Sequence, residues 1–106
     1  MSIFDDRERD EETRFKHSLW LDFKARARRN KLFGLWVAER MGLGGDDAKQ
    51  YATELVMLDF TEPGDDEVVD KAMKDLEARA TPTDEVVLRH KFSELLEQAR
   101  LQVKGE

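Results

Sequence analysis

The sequence predicts an all-α protein, a four-helix bundle with a mobile N-terminal arm. Three observations carry that expectation. From Phe15 onward the apolar residues recur every three or four positions, the period of a helix with one buried face. No stretch alternates with period two, and β-branched residues never cluster beyond a pair, so no strand is signalled. The two Pro and six Gly fall where helices would end, with Gly34 the one exception. A chain of 106 residues is enough for one domain and short for two.

The first long helix starts around Phe15. Phe15, Leu19, Phe23 and Ala27 are spaced by four, and Phe33, Val37 and Met41 return to the same side. Leu32, Leu35 and Trp36 widen this stripe until the helix is apolar nearly all round, the profile of a buried element. "MGLGG" ends it, with Gly42, Gly44 and Gly45 free to take a left-handed cap. Asp46 and Asp47 are the expected caps of a second helix, whose inner face is Ala48, Tyr51, Ala52, Leu55, Val56 and Leu58. "TEPG" breaks it and Asp65 is the expected next cap, before Val68, Val69, Ala72, Met73 and Leu76. A Thr81 cap with Pro82 in the first turn then opens a helix lined by Leu88, Phe92, Leu95, Leu96, Ala99 and Val103. Connections of about 4–6 residues favour antiparallel neighbours.

Residues 1–17 are expected to form the arm and residues 18–106 the bundle. "FDDRERDEETRF", 4–15, holds six acids and, between its two Phe, no apolar residue. If helical, it is solvated, with Asp5 or Asp6 as cap and Arg9 placed to pair with Asp5. It has too little apolar surface to hold itself against a core and is expected to be mobile in the isolated protein.

Charge divides the chain further. The total is −6, but residues 1–14 carry −3, residues 15–40 carry +5 and residues 41–106 carry −8. The absence of Cys removes a disulfide framework, a zinc ribbon and a thiol nucleophile. No apolar run approaches the ~20 residues of a membrane span, and the acidic N-terminus does not resemble a signal peptide. A soluble, cytoplasmic protein without direct membrane insertion is the expectation.

Nothing points to catalysis or to a cofactor. The carboxylate pairs Asp46/Asp47 and Asp65/Asp66 stand at helix starts, where capping accounts for them. His17 and His90 have no partner at the spacing of a triad or a metal face, so no metal is expected. "GLGG", 42–45, lacks the Lys and Ser/Thr of a phosphate loop and reads as a helix end and turn. "KARARRNK", 24–31, is the more informative motif. Lys24, Arg28 and Lys31 share one stripe, roughly opposite Phe23 and Phe33, while Arg26 and Arg29 flank the apolar side. Two readings stay open: an anion- or partner-binding stripe, or a solvated face that balances the acidic remainder. Nucleic acid is excluded as a partner by the overall acidity and the lack of a second basic element. Gly34 costs on the order of 1 kcal/mol inside a helix and is expected where a neighbouring helix approaches closely.

Taken together, "FDDRE", "FKARARRNKLFGLWVAERMGL", "YA" at 51–52 and "DF…EPGDDEVVDK" at 59–71 resemble the ATPase inhibitor subunit zeta of alphaproteobacterial F-type ATP synthase. The resemblance runs in order along nearly the whole chain, and "ARRNKLFGLW" is its most specific piece. It implies a non-enzymatic inhibitory subunit, cytoplasmic and peripheral on the inner membrane through ATP synthase. It implies that the arm enters a catalytic interface between alpha and beta subunits of the soluble head, reaches toward gamma and stops ATP hydrolysis. Asp5, Asp6, Arg7 and Glu8 match the family motif and are the implied partner contacts. Arg9 joins them, with Phe4 and Phe15 as apolar anchors. At "RDEET", 9–13, the chain departs from the family's pattern, which has more Ala and Phe there. The alternative is a small regulatory domain that binds adenine nucleotide, weakly, or another anion through Lys24, Arg28 and Lys31, with Trp20 and Trp36 beside them.

Overall fold

The computed structural model describes the backbone from Ile3 to Glu106 and the side chains from Arg14 to Glu106. It contains four helices: α1 (Ile3–Arg40), α2 (Gly45–Thr61), α3 (Asp65–Ala78) and α4 (Glu85–Lys104). No strand occurs among the described residues. The short connections 41–44, 62–64 and 79–84 turn each helix back beside the last. α1 is the axis of the bundle. It packs along α2 and along α4, whose backbones stay apart from each other, and α3 contacts all three.

The core follows the apolar rows. Phe33 and Val37 of α1, Leu55 of α2, Val68, Val69 and Leu76 of α3, and Leu88 of α4 are fully buried. Phe33 and Phe92 meet edge to face at 5.0 Å. Burying a side chain such as Phe33 contributes about 2–3 kcal/mol. A smaller cluster joins Ala25 of α1 to Ala99 and Val103 of α4, with Leu21 and Leu96 packed against it. Gly34 does what its position predicts: a Cβ there would stand 2.6 Å from the Ala52 Cα. The two helix backbones therefore meet where α1 has no side chain.

The helix ends differ from expectation in several places. α1 closes as anticipated: Gly42 sits at φ 81°, its N–H donates to the Glu39 carbonyl, and the Leu43 N–H donates to Ala38. Asp46 and Asp47, however, are not the caps of α2. Gly44 is the N-cap, with no side-chain hydrogen bond, and the two acids act in the first turn through the helix dipole. Asp65 is likewise not the cap of α3, which is Gly64. Its carboxylate is engaged elsewhere, 3.0 Å from the Arg29 guanidinium. α4 is capped by Asp84, which accepts from the Val86 N–H at 2.8 Å, and not by Thr81. Thr81 instead closes α3, its N–H and hydroxyl both donating to the Leu76 carbonyl.

The stripe of α1 also breaks in two. Phe33 and Val37 are buried as expected, but Phe15, Leu19 and Phe23 are exposed. The reason is length: α2 stops at Thr61, and α1 continues past it toward its N-terminus.

Two polar side chains lie in the interior. Arg29 is 2% and Asn30 1% exposed. Arg29 Nε donates to Asn30 Oδ1 at 3.1 Å, and its guanidinium lies 4.0 Å over the Phe92 ring. Burial pulls the pKa of Arg29 below its ordinary value, and the adjoining Asp65 opposes that shift. Asn30 Nδ2 donates to Asp59, whose carboxylate also accepts from the Gly64 N–H. Through these contacts α1 fixes both sides of the turn between α2 and α3. Toward the other end of the α2–α3 pair, Tyr51 ties the two helices together by donating its hydroxyl to Asp75 at 2.8 Å. Burial and the Asp75 carboxylate raise its pKa well above the usual tyrosine value.

Candidate functional site

Residues 14–20 of α1 are all exposed, so this stretch adds nothing to the core. Yet it is far from wholly polar. Phe15 is 66% exposed, Leu19 53% and Trp20 55%. Residues four apart lie one above another on a helix, so Phe15, Leu19 and Phe23 form one ridge. Farther along α1 the same side of the helix carries Asn30 and Phe33 into the bundle.

At the edge of the bundle the ridge meets a second apolar element. Trp20 stacks on Phe23 with ring centroids 5.6 Å apart, and Phe23 lies 5.4 Å from Phe60 near the end of α2. Met57, one turn before Phe60, is also more than half exposed. Beside this ladder is a cleft of about 320 Å³ between α1 and α2, lined by Leu19, Phe23, Ala27, Val56, Phe60 and Pro63. Asp22, Arg26 and Asp59 form its polar edge.

The expected partner contacts at Phe4, Asp5, Asp6, Arg7, Glu8 and Arg9 lie outside the described side chains. Phe15 is described and is free of the core. Of the basic stripe, Lys24 and Arg28 are both turned to one acid at the far end of α4. Lys24 Nζ donates to Glu106 at 2.9 Å, and Arg28 donates to the other carboxylate oxygen and to Gln102. These hydrogen bonds hold the Glu106 carboxyl below the usual glutamate range. Lys31 is separate, beside Leu35 and Thr53 on the α2 side. Arg26 faces Asp59 at 3.6 Å and Asp65 at 4.0 Å. Most of the stripe is thus matched by acids of the same chain. Trp20 and Trp36 are sixteen residues apart on one helix, about 24 Å along its axis, and do not share a site. Trp36 instead receives the Arg40 guanidinium over its ring at 4.8 Å.

No group of three His, Cys, Asp or Glu side chains with metal-binding geometry occurs among the described residues. Sequence periodicity found the ridge but assigned it to the core. Phe60 and Met57 were missed altogether: the break after Thr61 is legible in the sequence, but that these two side chains face away from the core is a matter of tertiary packing. Their signal was two large apolar residues just before a Pro-Gly turn, on positions that the inner face of α2 did not need.

Comparison with known proteins agrees with this architecture. The family model of ATPase inhibitor subunit zeta matches residues 1–102. A protein structure determined by solution NMR is 44% identical, with a TM-score of 0.70, over 80% of this chain and 96% of that one. Among curated proteins none matches. The family match takes in the exposed ridge of α1, the buried Arg29–Asn30 pair and nearly all of α4, and on it the chain belongs to the ATPase inhibitor subunit zeta family.

Proposed function

We propose that this chain is an inhibitory subunit of F-type ATP synthase that acts through residues 1–17. In this reading the arm enters a catalytic alpha/beta interface of the soluble head and reaches toward gamma. It binds the closed interface and opposes its reopening, so hydrolysis stops without any chemistry by the inhibitor. Rotation in the synthetic direction expels the arm, so synthesis is affected much less. Phe4 and Phe15 anchor the arm, while Asp5, Asp6, Arg7, Glu8 and Arg9 make its polar contacts. The subunit works at the inner membrane through its partner, on the cytoplasmic side. Among the described residues no helix is long and apolar enough to cross a membrane.

The supporting observation is the exposure of residues 14–20 in the N-terminal half of α1, in a chain of this family. An element that serves a partner has to be free of its own core, and these side chains are. Deleting residues 1–17 tests the reading. The remaining chain keeps every buried residue among those described and is expected to stay folded. Full-length protein is expected to inhibit ATP hydrolysis by the cognate catalytic head, and the truncated protein is not. Equal inhibition by the two chains overturns the role of the arm.

A further inference from the structure

The arm reading leaves part of the exposed apolar surface unused. Leu19, Trp20 and Phe23 lie beyond residue 17, and Met57 and Phe60 belong to α2. Leu19, Trp20, Phe23 and Phe60 adjoin one another, Met57 stands one turn before Phe60, and all five are 45–55% exposed on the bundle itself. Its aromatic rings are already ordered against one another, Trp20 on Phe23 and Phe23 on Phe60. Rings held in place lose little side-chain freedom on binding, and aromatic residues of this kind dominate protein interfaces.

We propose that the Trp20–Phe23–Phe60 face and its cleft are a second docking surface for the ATPase head, and that the occupant is an amphipathic helix offering one large apolar side chain beside a cation. The proposal rests on the arm reading, which supplies the identity of the partner. Three features define the occupant. Phe15, the last anchor of the arm, stands on the same ridge as Leu19 and Phe23, so a body that grips the arm meets this face next. The cleft is about 320 Å³, enough to take a large side chain, and lies open between α1 and α2. At its rim Asp22 is exposed and makes no ion pair among the described residues, whereas Asp59 is already matched by Arg26 and Asn30. A basic residue next to the apolar plug therefore complements the rim.

A second copy of this chain fits less well. Pairing the ridge with itself about a two-fold axis near Trp20 brings one Asp22 close to the other, a juxtaposition of like charges. It also leaves the cleft without a plug, because the rings that could fill it are stacked within their own chain.

The test measures binding and inhibition separately, with the cognate soluble head and the full-length chain. A Trp20→Gln/Phe60→Gln variant is expected to bind at least about tenfold more weakly while still inhibiting fully at saturation, because its arm is intact. Asp22→Lys is expected to weaken binding similarly, with a smaller loss at high salt. Circular dichroism and melting should show both variants folded, since none of these side chains is buried. The chain lacking residues 1–17 is expected to retain patch-dependent binding without inhibition. If either variant binds as tightly as the unmodified chain, the second docking surface is overturned while the arm reading stands. If binding depends on the patch but truncation leaves inhibition intact, the arm reading falls and the docking surface stands. If the full chain does not bind the head, both fall. Concentration-dependent self-association abolished by the Trp20→Gln/Phe60→Gln change would give the face to a second copy and overturn the proposal.

Discussion

The two halves of α1 obey one sequence rule and meet opposite fates. Phe33 and Val37 repeat at four residues and are fully buried; Phe15, Leu19 and Phe23 repeat at four residues and stay 45–66% exposed. Helical periodicity defines a face but not its cover. The cover is set by the partner helices. α2 ends at Thr61, opposite the middle of α1, and α4 reaches only far enough to cover Leu21 and Ala25 with Val103. One half of α1 is therefore a structural axis, and the other presents an apolar ridge to whatever binds it.

The largest way to disturb that contrast is to strike the embedded half where it has no room. Gly34→Ala sets a methyl group 2.6 Å from the Ala52 Cα, a backbone atom that moves only if α2 moves. The expected loss is about 3 kcal/mol by denaturant titration, at the upper end for overpacking, because a whole helix contact must widen. Arg29 comes next. Arg29→Ala opens a cavity under Phe92 and strips the Nε donor from Asn30 Oδ1, which is itself buried. About 2–3 kcal/mol of stability should go with it. Arg29→Met keeps most of the volume and removes the desolvated charge. It should cost less than Ala, about 1–2 kcal/mol, because the volume is kept while Asn30 Oδ1 still loses its Arg29 donor. If Met is as damaging as Ala, the polar contacts of Arg29 with Asn30 and Asp65 matter more than its packing.

These embedded residues also show how much was legible beforehand. The helix count, the core of α3 and α4 and the close approach at Gly34 followed from spacing and from the cost of Gly inside a helix. The burial of Arg29 and Asn30 did not, because it depends on Asp59 and Asp65 arriving from the α2–α3 turn. Asp65 was read as a cap for the same reason: composition near a helix start cannot distinguish an acid that caps from one that neutralises a distant arginine. The basic run 24–31 left two readings open, and the structure divides it residue by residue. Lys24 and Arg28 meet Glu106, Arg29 meets Asp65, and Arg26 meets Asp59.

The junction between the halves should respond more gently. Lys24 and Arg28 hold the last residue of the described chain, Glu106, against α1 at the level where cover gives way to exposure. The Glu106 pKa is lowered, so its contribution is present at neutral pH and is lost as pH falls below the ordinary glutamate range through the lowered value. NMR titration should find the Glu106 carboxyl midpoint below those of other exposed glutamates, rising toward them as salt is added. Glu106→Gln should speed hydrogen exchange at amides around Leu21–Arg28 while leaving those around Phe33–Val37 unchanged. Equal acceleration in both stretches would mean that the clamp supports the whole bundle and not just the junction.

The smallest expected effect on stability belongs to the exposed half, and it sharpens the comparison most. Phe15→Gln and Leu19→Gln remove the same kind of side chain, at the same spacing, as substitutions that would unfold the embedded half. Gln matches Leu closely in helix propensity, so the change isolates the apolar contacts. Because these side chains are more than half exposed, stability should change by no more than about 0.5 kcal/mol. Binding to the ATPase head should respond in the opposite way. Phe15→Gln is expected to weaken inhibition by about tenfold, or about 1.4 kcal/mol, with the melting transition unmoved. A ridge that carries affinity without carrying stability is a surface kept for a partner. If both measurements stay flat, the ridge is only an unburied remainder of the stripe.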